Sequence, residues 1–203
     1  MDLPSYPSTG RNGSFIADTL NLYLPANGHV LETASGTGEH IHYLGKKFPY
    51  LVWQPSDKSS DLFWAISERI KNETNILDPI ELDLTNNSFP CKNKRYNVIL
   101  NINMIHIAPW DACIGLFRLA KEVISSDGFL FLYGPFKVEG SNTSASNIKF
   151  DTSLRERNPE WGIRNLEDVV ATAKNYEFRH FEVHEMPVNN KSVIFQKVEM
   201  SNA

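Results

Sequence analysis

The chain has only two cysteines in 203 residues, Cys91 and Cys113, and neither stands in a C-x-x-C or Cys/His ligand spacing. That excludes a disulfide scaffold and a cysteine-based metal site, and it fits reduced thiols in a cytoplasmic setting. Basic clusters are equally scarce. Lys and Arg number 20 against 24 Asp and Glu, for a formal net charge of -4, and the densest basic run is Lys92-Asn93-Lys94-Arg95. Duplex nucleic acid is held mainly through its phosphates, so a chain without a basic face is not expected to bind it. No apolar run approaches the length of a membrane span, and the first residues lack the basic and apolar regions of a signal peptide.

What the chain does have is alternation. Short β-rich runs at 29–34, 51–55, 79–84, 96–102 and 128–133 are separated by helical patterns at 39–48, 61–71 and 110–124. A further helix is expected over 14–24, another over 166–176, and two β runs at 178–186 and 192–198 flank Pro187-Val188-Asn189-Asn190, a hairpin signal. Strands alternating with helices predict one α/β domain with a mostly parallel sheet, helices on both faces and an antiparallel C-terminal hairpin strand. Residues 1–13 read as an extended arm, and 134–163 as a long polar loop of the kind that covers sites.

The densest information lies in Glu32-Thr33-Ala34-Ser35-Gly36-Thr37-Gly38-Glu39-His40, after the first strand. Glycines there let a ligand approach the backbone, and ligands of such sheets bind beyond the carboxyl ends of the strands. Asp57 ends the next strand, nineteen positions after Gly38, where an acid can accept hydrogen bonds from ribose hydroxyls. A dinucleotide is disfavoured, because Ile41 occupies the third glycine position and Glu39 would repel a pyrophosphate at the helix start. A cofactor without phosphates is preferred, and S-adenosylmethionine fits. Glu32 is placed for its amino group, the amides of Gly36, Thr37 and Gly38 for its carboxylate, and Asp83 for its adenine, with Ser35 a further cofactor contact in the loop.

The sequence also resembles the methyltransferase-like family catalogued as domain of unknown function 938, within the class I S-adenosylmethionine-dependent methyltransferases. The resemblance rests on VLETASGTGEH at 30–40, WQPSD at 53–57, NMIHIAPW at 103–110, LYGPF at 132–136, Ser146-Asn147 with Phe150-Asp151, WGIRNLED at 161–168 and MPVNN at 186–190. It covers nearly the whole chain, and Thr33 departs from the family's usual aliphatic residue. It implies a seven-stranded Rossmann-like sheet with an antiparallel last strand, and it implies no substrate.

Further candidates follow. Arg11 and Asn12 are expected over the cofactor, with Leu84, Asn103 and Met104 bordering it. His106 is the candidate general base, with Tyr133 on the same rim, if the acceptor must lose a proton. Ser146, Asn147, Phe150, Trp161 and Arg164 are expected to contact the acceptor. No metal is expected, since methyl transfer needs mostly positioning and a matched polar environment. The alternatives are a protein that binds S-adenosylmethionine without transferring methyl, a partner subunit of a transferase, and a nicotinamide-dependent oxidoreductase, the last disfavoured by Ile41 and Glu39.

Overall fold

The computed structural model describes residues 3–5, 8–142 and 144–198. In chain order the elements are α1 (Ser8–Leu20), β1 (Gly28–Thr33), α2 (Glu39–Lys47), β2 (Leu51–Asp57), α3 (Phe63–Ile70), β3 (Ile80–Glu81), β4 (Tyr96–Ile102), α4 (Trp110–Val123) and β5 (Ile124–Val138). There follow β6 (Ser141–Asn142), α5 (Ala145–Arg157), β7 (Arg164–Asn165), α6 (Leu166–Asn175), β8 (Phe178–Met186) and β9 (Asn190–Lys197). Seven strands form one continuous path, β3-β2-β1-β4-β5-β9-β8, while the two-residue β6 and β7 pair with the far end of β5. β1, β2, β3, β4 and the matching part of β5 run parallel, and β9 is antiparallel to both β5 and β8. This is the mostly parallel α/β sheet with antiparallel C-terminal strands expected from the alternation, and the seven-stranded Rossmann-like sheet that the family resemblance implied.

The central strands are apolar without a break because both of their faces are covered. Val30, Val98, Leu100 and Phe131 join α1, α2 and α3 in one core cluster. Leu31, Ile99, Leu130 and Leu132 point the other way, into a cluster with α4 and α6. The period-2 alternation of the strands therefore sorts neighbouring residues into two cores. The α4 helix approaches the turn after β3 so closely that only a glycine fits at 115. A Cβ there would overlap the Leu84 carbonyl oxygen and lie 2.7 Å from its carbon.

Three elements depart from the sequence reading. The arm expected over 1–13 is helical from Ser8, and the helix ends at Leu20 instead of 24. Gly10 and Gly13 hide this start, since glycine weakens a helix. Gly13 nevertheless has a use, for a Cβ there would press on the Tyr43 ring of α2 at 3.3 Å. Residues 1, 2, 6 and 7 of the arm lie outside the described residues. The third strand shrinks from 79–84 to Ile80–Glu81, because the Asp83 carboxylate accepts from the Thr85 amide (2.9 Å) and hydroxyl (2.7 Å) and turns the chain.

The third departure is the long polar loop, which is mostly α5. Ser144 caps it by accepting from the Asn147 amide at 3.1 Å. Its buried positions are Asn147, Asp151 and Leu154, so its inward stripe is largely polar. Asp151 accepts from Lys137 Nζ (2.8 Å) and from the Ile163 amide (2.7 Å). Hydrophobic periodicity has nothing to register on such a helix.

Candidate functional site

A cavity of about 520 Å³ opens beyond the carboxyl ends of β1, β2, β3 and β4. That is the size of a small-ligand site. It sits where the strand order changes direction, between β1 and β4. Its lining includes Glu32, Ser35, Gly36, Thr37, Asp57, Asp83, Leu84, Asn103, Met104 and Trp161 from the residues singled out in the sequence. Gly38 borders the loop without lining the cavity. Its φ of 78° is left-handed, and a Cβ would press on Ile66 at 3.0 Å, so its work is to turn the chain into α2.

The loop after β1 is held from within. The Ser35 amide donates to Ser56 O (2.8 Å), the Gly36 amide to Asp57 Oδ2 (2.8 Å) and the Gly38 amide to Ser35 O (2.9 Å). The fourth amide of the loop, that of Thr37, has no acceptor among the described residues. Ala34 and Asn103, at the ends of the adjacent strands β1 and β4, both take left-handed conformations (φ 57° and 60°) and both line the cavity. Strained backbone of this kind persists only where the surroundings over-determine it, and it clusters at functional sites.

Glu32 is the most unusual group. It is 2% exposed, its Oε2 has no hydrogen-bond partner, and it faces the cavity. Burial lifts its carboxyl to about 7, against a smaller opposing effect from the Ser35 hydroxyl and a smaller reinforcing one from Asp57. Asp83 is held below the usual carboxylate range, its hydrogen bonds from Thr85 and the neighbouring Lys58 ammonium outweighing desolvation. The site therefore offers an unmatched buried acceptor flanked by two strand-end carboxylates.

The expected base is elsewhere. His106 does not line the cavity. It is fully buried, packs edge-on against Phe136 with ring centres 5.3 Å apart, and neither ring nitrogen has a partner. Burial drives its imidazole down to about 3. Tyr133 is also buried outside the lining, its hydroxyl accepting from Asn190 Nδ2 at 3.0 Å. The imidazole that does line the cavity is His40. Its Nδ1 is 3.2 Å from Thr9 Oγ1 and its Nε2 is 3.0 Å from Asn12 Oδ1. Burial lowers it to about 4. The sequence reading did not single out Thr9 or His40, because their contact joins α1 to α2 and local pattern does not show it.

The remaining candidates serve the walls. Arg11 is exposed and Asn12 buried, neither in the lining. Ser146 and Phe150 are exposed on α5, while Asn147 is buried and donates to Asn189 O at 3.3 Å. Arg164 is a brace. Its guanidinium donates to Ile105 O (2.9 Å), Ala108 O (2.6 Å) and Glu160 O (2.8 Å), fixing the turn after β4 to the segment that carries Trp161.

These buried groups predict a pH dependence of stability. Between about pH 5 and 5.5 an unfolded chain holds protons on both His40 and His106 and almost none on Glu32. The folded chain holds one on Glu32 and none on either imidazole. The unfolded state then binds one proton more, so stability falls as pH falls, by about 1.4 kcal/mol per pH unit. Glu32→Gln removes the opposing proton and should double that slope, to about 2.7 kcal/mol per pH unit. Urea melts of both proteins across this window test it, and equal slopes would remove Glu32 from the balance.

With this geometry in hand, the comparisons with known proteins are informative. The family model described as "Protein of unknown function (DUF938)" matches residues 3–197. The chain belongs to this family. Among solved structures, human N-acetylserotonin methyltransferase in complex with S-adenosylmethionine superposes with a TM-score of 0.79 at 13% identity, over 94% of this chain and 53% of that one. An O-methyltransferase family protein from Burkholderia thailandensis gives 0.79 at 12% identity, over 96% and 57%. CalO1, a methyltransferase of calicheamicin biosynthesis solved with S-adenosylhomocysteine bound, gives 0.75 at 12% identity, over 94% and 54%. The DUF938 chain is thus similar in fold to these methyltransferases and spans little more than half of their length. No helix among its described residues is long and apolar enough to cross a membrane.

Proposed function

We propose that this DUF938 protein binds S-adenosylmethionine in the cavity at the ends of β1–β4 and transfers its methyl group to an acceptor. The observation that carries the reading is Glu32 Oε2, a buried carboxylate oxygen without a partner in the cavity wall. A buried unsatisfied acceptor is costly, and a ligand ammonium would relieve it. Asp57 and Asp83 support the same ligand, as acceptors for ribose hydroxyls and an adenine amine at the ends of the next two strands. Leu82, Leu84, Met104 and Ala112 supply an apolar bed for a flat base. Thr37, with the amide left over in the loop, faces the cofactor's carboxylate.

The cofactor supplies an activated methyl on a sulfonium. The protein's task is then to align donor and acceptor and to keep water away, which accounts for the absence of any requirement for a triad. Where the acceptor must shed a proton, His40 is the imidazole that lines the cavity, and taking the proton would cost the bond that its Nδ1 accepts from Thr9.

Thermal-shift titration tests the reading. With ligand at about 100 times its dissociation constant, S-adenosylmethionine and S-adenosylhomocysteine should each add about 2.7 kcal/mol. For a chain of this size that is a rise of roughly 5 to 11 °C. Reduced nicotinamide cofactors should give none. A shift with the nicotinamide cofactors and none with the other two would reverse the assignment. Saturable binding with no methylated product from any extract would reduce it to a binding role.

A further inference from the structure

The cavity lining is divided by charge. Glu32 and Asp57 lie at the ends of β1 and β2, and Glu39 and Asp83 in the segments that follow β1 and β3, whereas the segment after β4 contributes no charged side chain. Two cations line the cavity. Lys58 lies 3.4 Å from Asp83 and is matched by it. Arg157, in the last turn of α5, is different. Its Nε donates to Ser153 O at 3.3 Å, and its guanidinium carbon lies 5.5 Å from the centre of the Trp161 ring. No carboxylate among the described residues stands within ion-pair distance of it. Arg155, two positions earlier, shows the contrast, for it pairs with Asp151 at 3.4 Å.

Trp161 is a fixed platform. Its amide donates to Asn158 O (3.0 Å), and the amide of Gly162 donates to His106 O (2.9 Å), which seats the indole beside the turn after β4. The cavity thus carries, beside the uncharged turn after β4, a flat aromatic surface topped by a guanidinium that no carboxylate pairs among the described residues. A guanidinium presents a planar fork of donors that matches a carboxylate. An indole favours flat rings through dispersion and offset stacking.

We propose that Arg157 and Trp161 recognise the methyl acceptor and select a flat small molecule that bears a carboxylate. The proposal rests on the methyl-transfer reading of the cavity. It explains why the charge lies where it does. Held by its carboxylate at Arg157, an acceptor directs its opposite end into the cavity, toward the acid-lined segments assigned to the cofactor. The competing anion is the cofactor's own carboxylate, and the test separates the two.

Calorimetric titration of 4-hydroxybenzoate and of its neutral counterpart 4-hydroxybenzamide into protein saturated with S-adenosylhomocysteine supplies the probe. The acid is expected to bind about tenfold or more tighter than the amide. Arg157→Gln should erase that preference and leave the affinity for S-adenosylhomocysteine unchanged. Trp161→Leu should weaken both probes alike. Arg157 is exposed at a helix end, so its variant is expected to fold, and an unchanged melting temperature verifies this. Equal binding of acid and amide, binding of neither, or a preference that survives in Arg157→Gln overturns the proposal. So does an Arg157→Gln protein that loses affinity for S-adenosylhomocysteine but not for 5′-methylthioadenosine, which lacks the amino-acid part, since Arg157 would then serve the cofactor. If S-adenosylhomocysteine does not bind the wild type, the cofactor reading fails, and the acid–amide comparison on the free protein decides the role of Arg157 separately.

Discussion

Gly115→Ala should destabilise the protein by about 3 kcal/mol, although alanine is the better helix former. In an open helix interior the change would gain roughly 0.5–1 kcal/mol. Here the added carbon would overlap the Leu84 carbonyl oxygen, and backbone cannot swing aside as the end of a flexible side chain can. Either α4 moves off the sheet or the chain after β3 moves with Leu84. Both options disturb the cavity, because Leu84 and Ala112 line it. The variant should therefore lose stability and ligand affinity together. Gly10→Ala is the control, since nothing lies within 4 Å of a Cβ at that position. It should gain a few tenths of a kcal/mol or more. Urea midpoints at constant slope measure both changes. A Gly115→Ala protein as stable as the wild type would mean that α4 sits farther from β3 than described.

Asp57→Ala should weaken binding of S-adenosylhomocysteine by about 10- to 100-fold, the loss expected for hydrogen bonds to a charged acceptor. Two effects combine. The variant loses the proposed acceptor for the ribose hydroxyls, and it frees the Gly36 amide that Asp57 Oδ2 holds at 2.8 Å. Asp57→Asn separates them, because its amide oxygen can still accept from Gly36 while the charge is gone. The alanine variant should therefore be the weaker binder of the two. Calorimetry on folded protein is the measurement. An unchanged affinity in Asp57→Ala would place the ribose elsewhere and undermine the reading of all three strand-end acids.

The same acids show how much of the site was legible beforehand. Glu32 and Asp57 lie at the ends of β1 and β2, whose apolar runs are plain in the sequence, and Asp83 lies in the turn just past β3, so alternation puts all three at one edge of the sheet. Asn103 and Met104 follow from β4 by the same logic, and β4 itself lies where its pattern placed it. The failures share a cause, which is contact between distant segments. His40 acquires its surroundings from Thr9 and Asn12 on α1, a helix whose first turns are disguised by glycine. His106 looked available because of its place after β4. Its burial against Phe136 depends on the later course of β5. Arg157 offered no local signal, since a basic residue near a helix C-terminus is ordinary.

The polar inner face of α5 has a thermodynamic meaning. Most helices stay docked because undocking exposes hydrocarbon to water, which raises the heat capacity. The α5 helix buries Asn147 and Asp151 along with Leu154, and its two polar residues can exchange their protein partners for water. Lifting it away would therefore release little apolar surface and change the heat capacity little. Such a segment is expected toward the low-free-energy end of local opening. A helix that ends at the cavity and is fastened by exchangeable bonds combines a defined closed position with a small thermodynamic cost of leaving it.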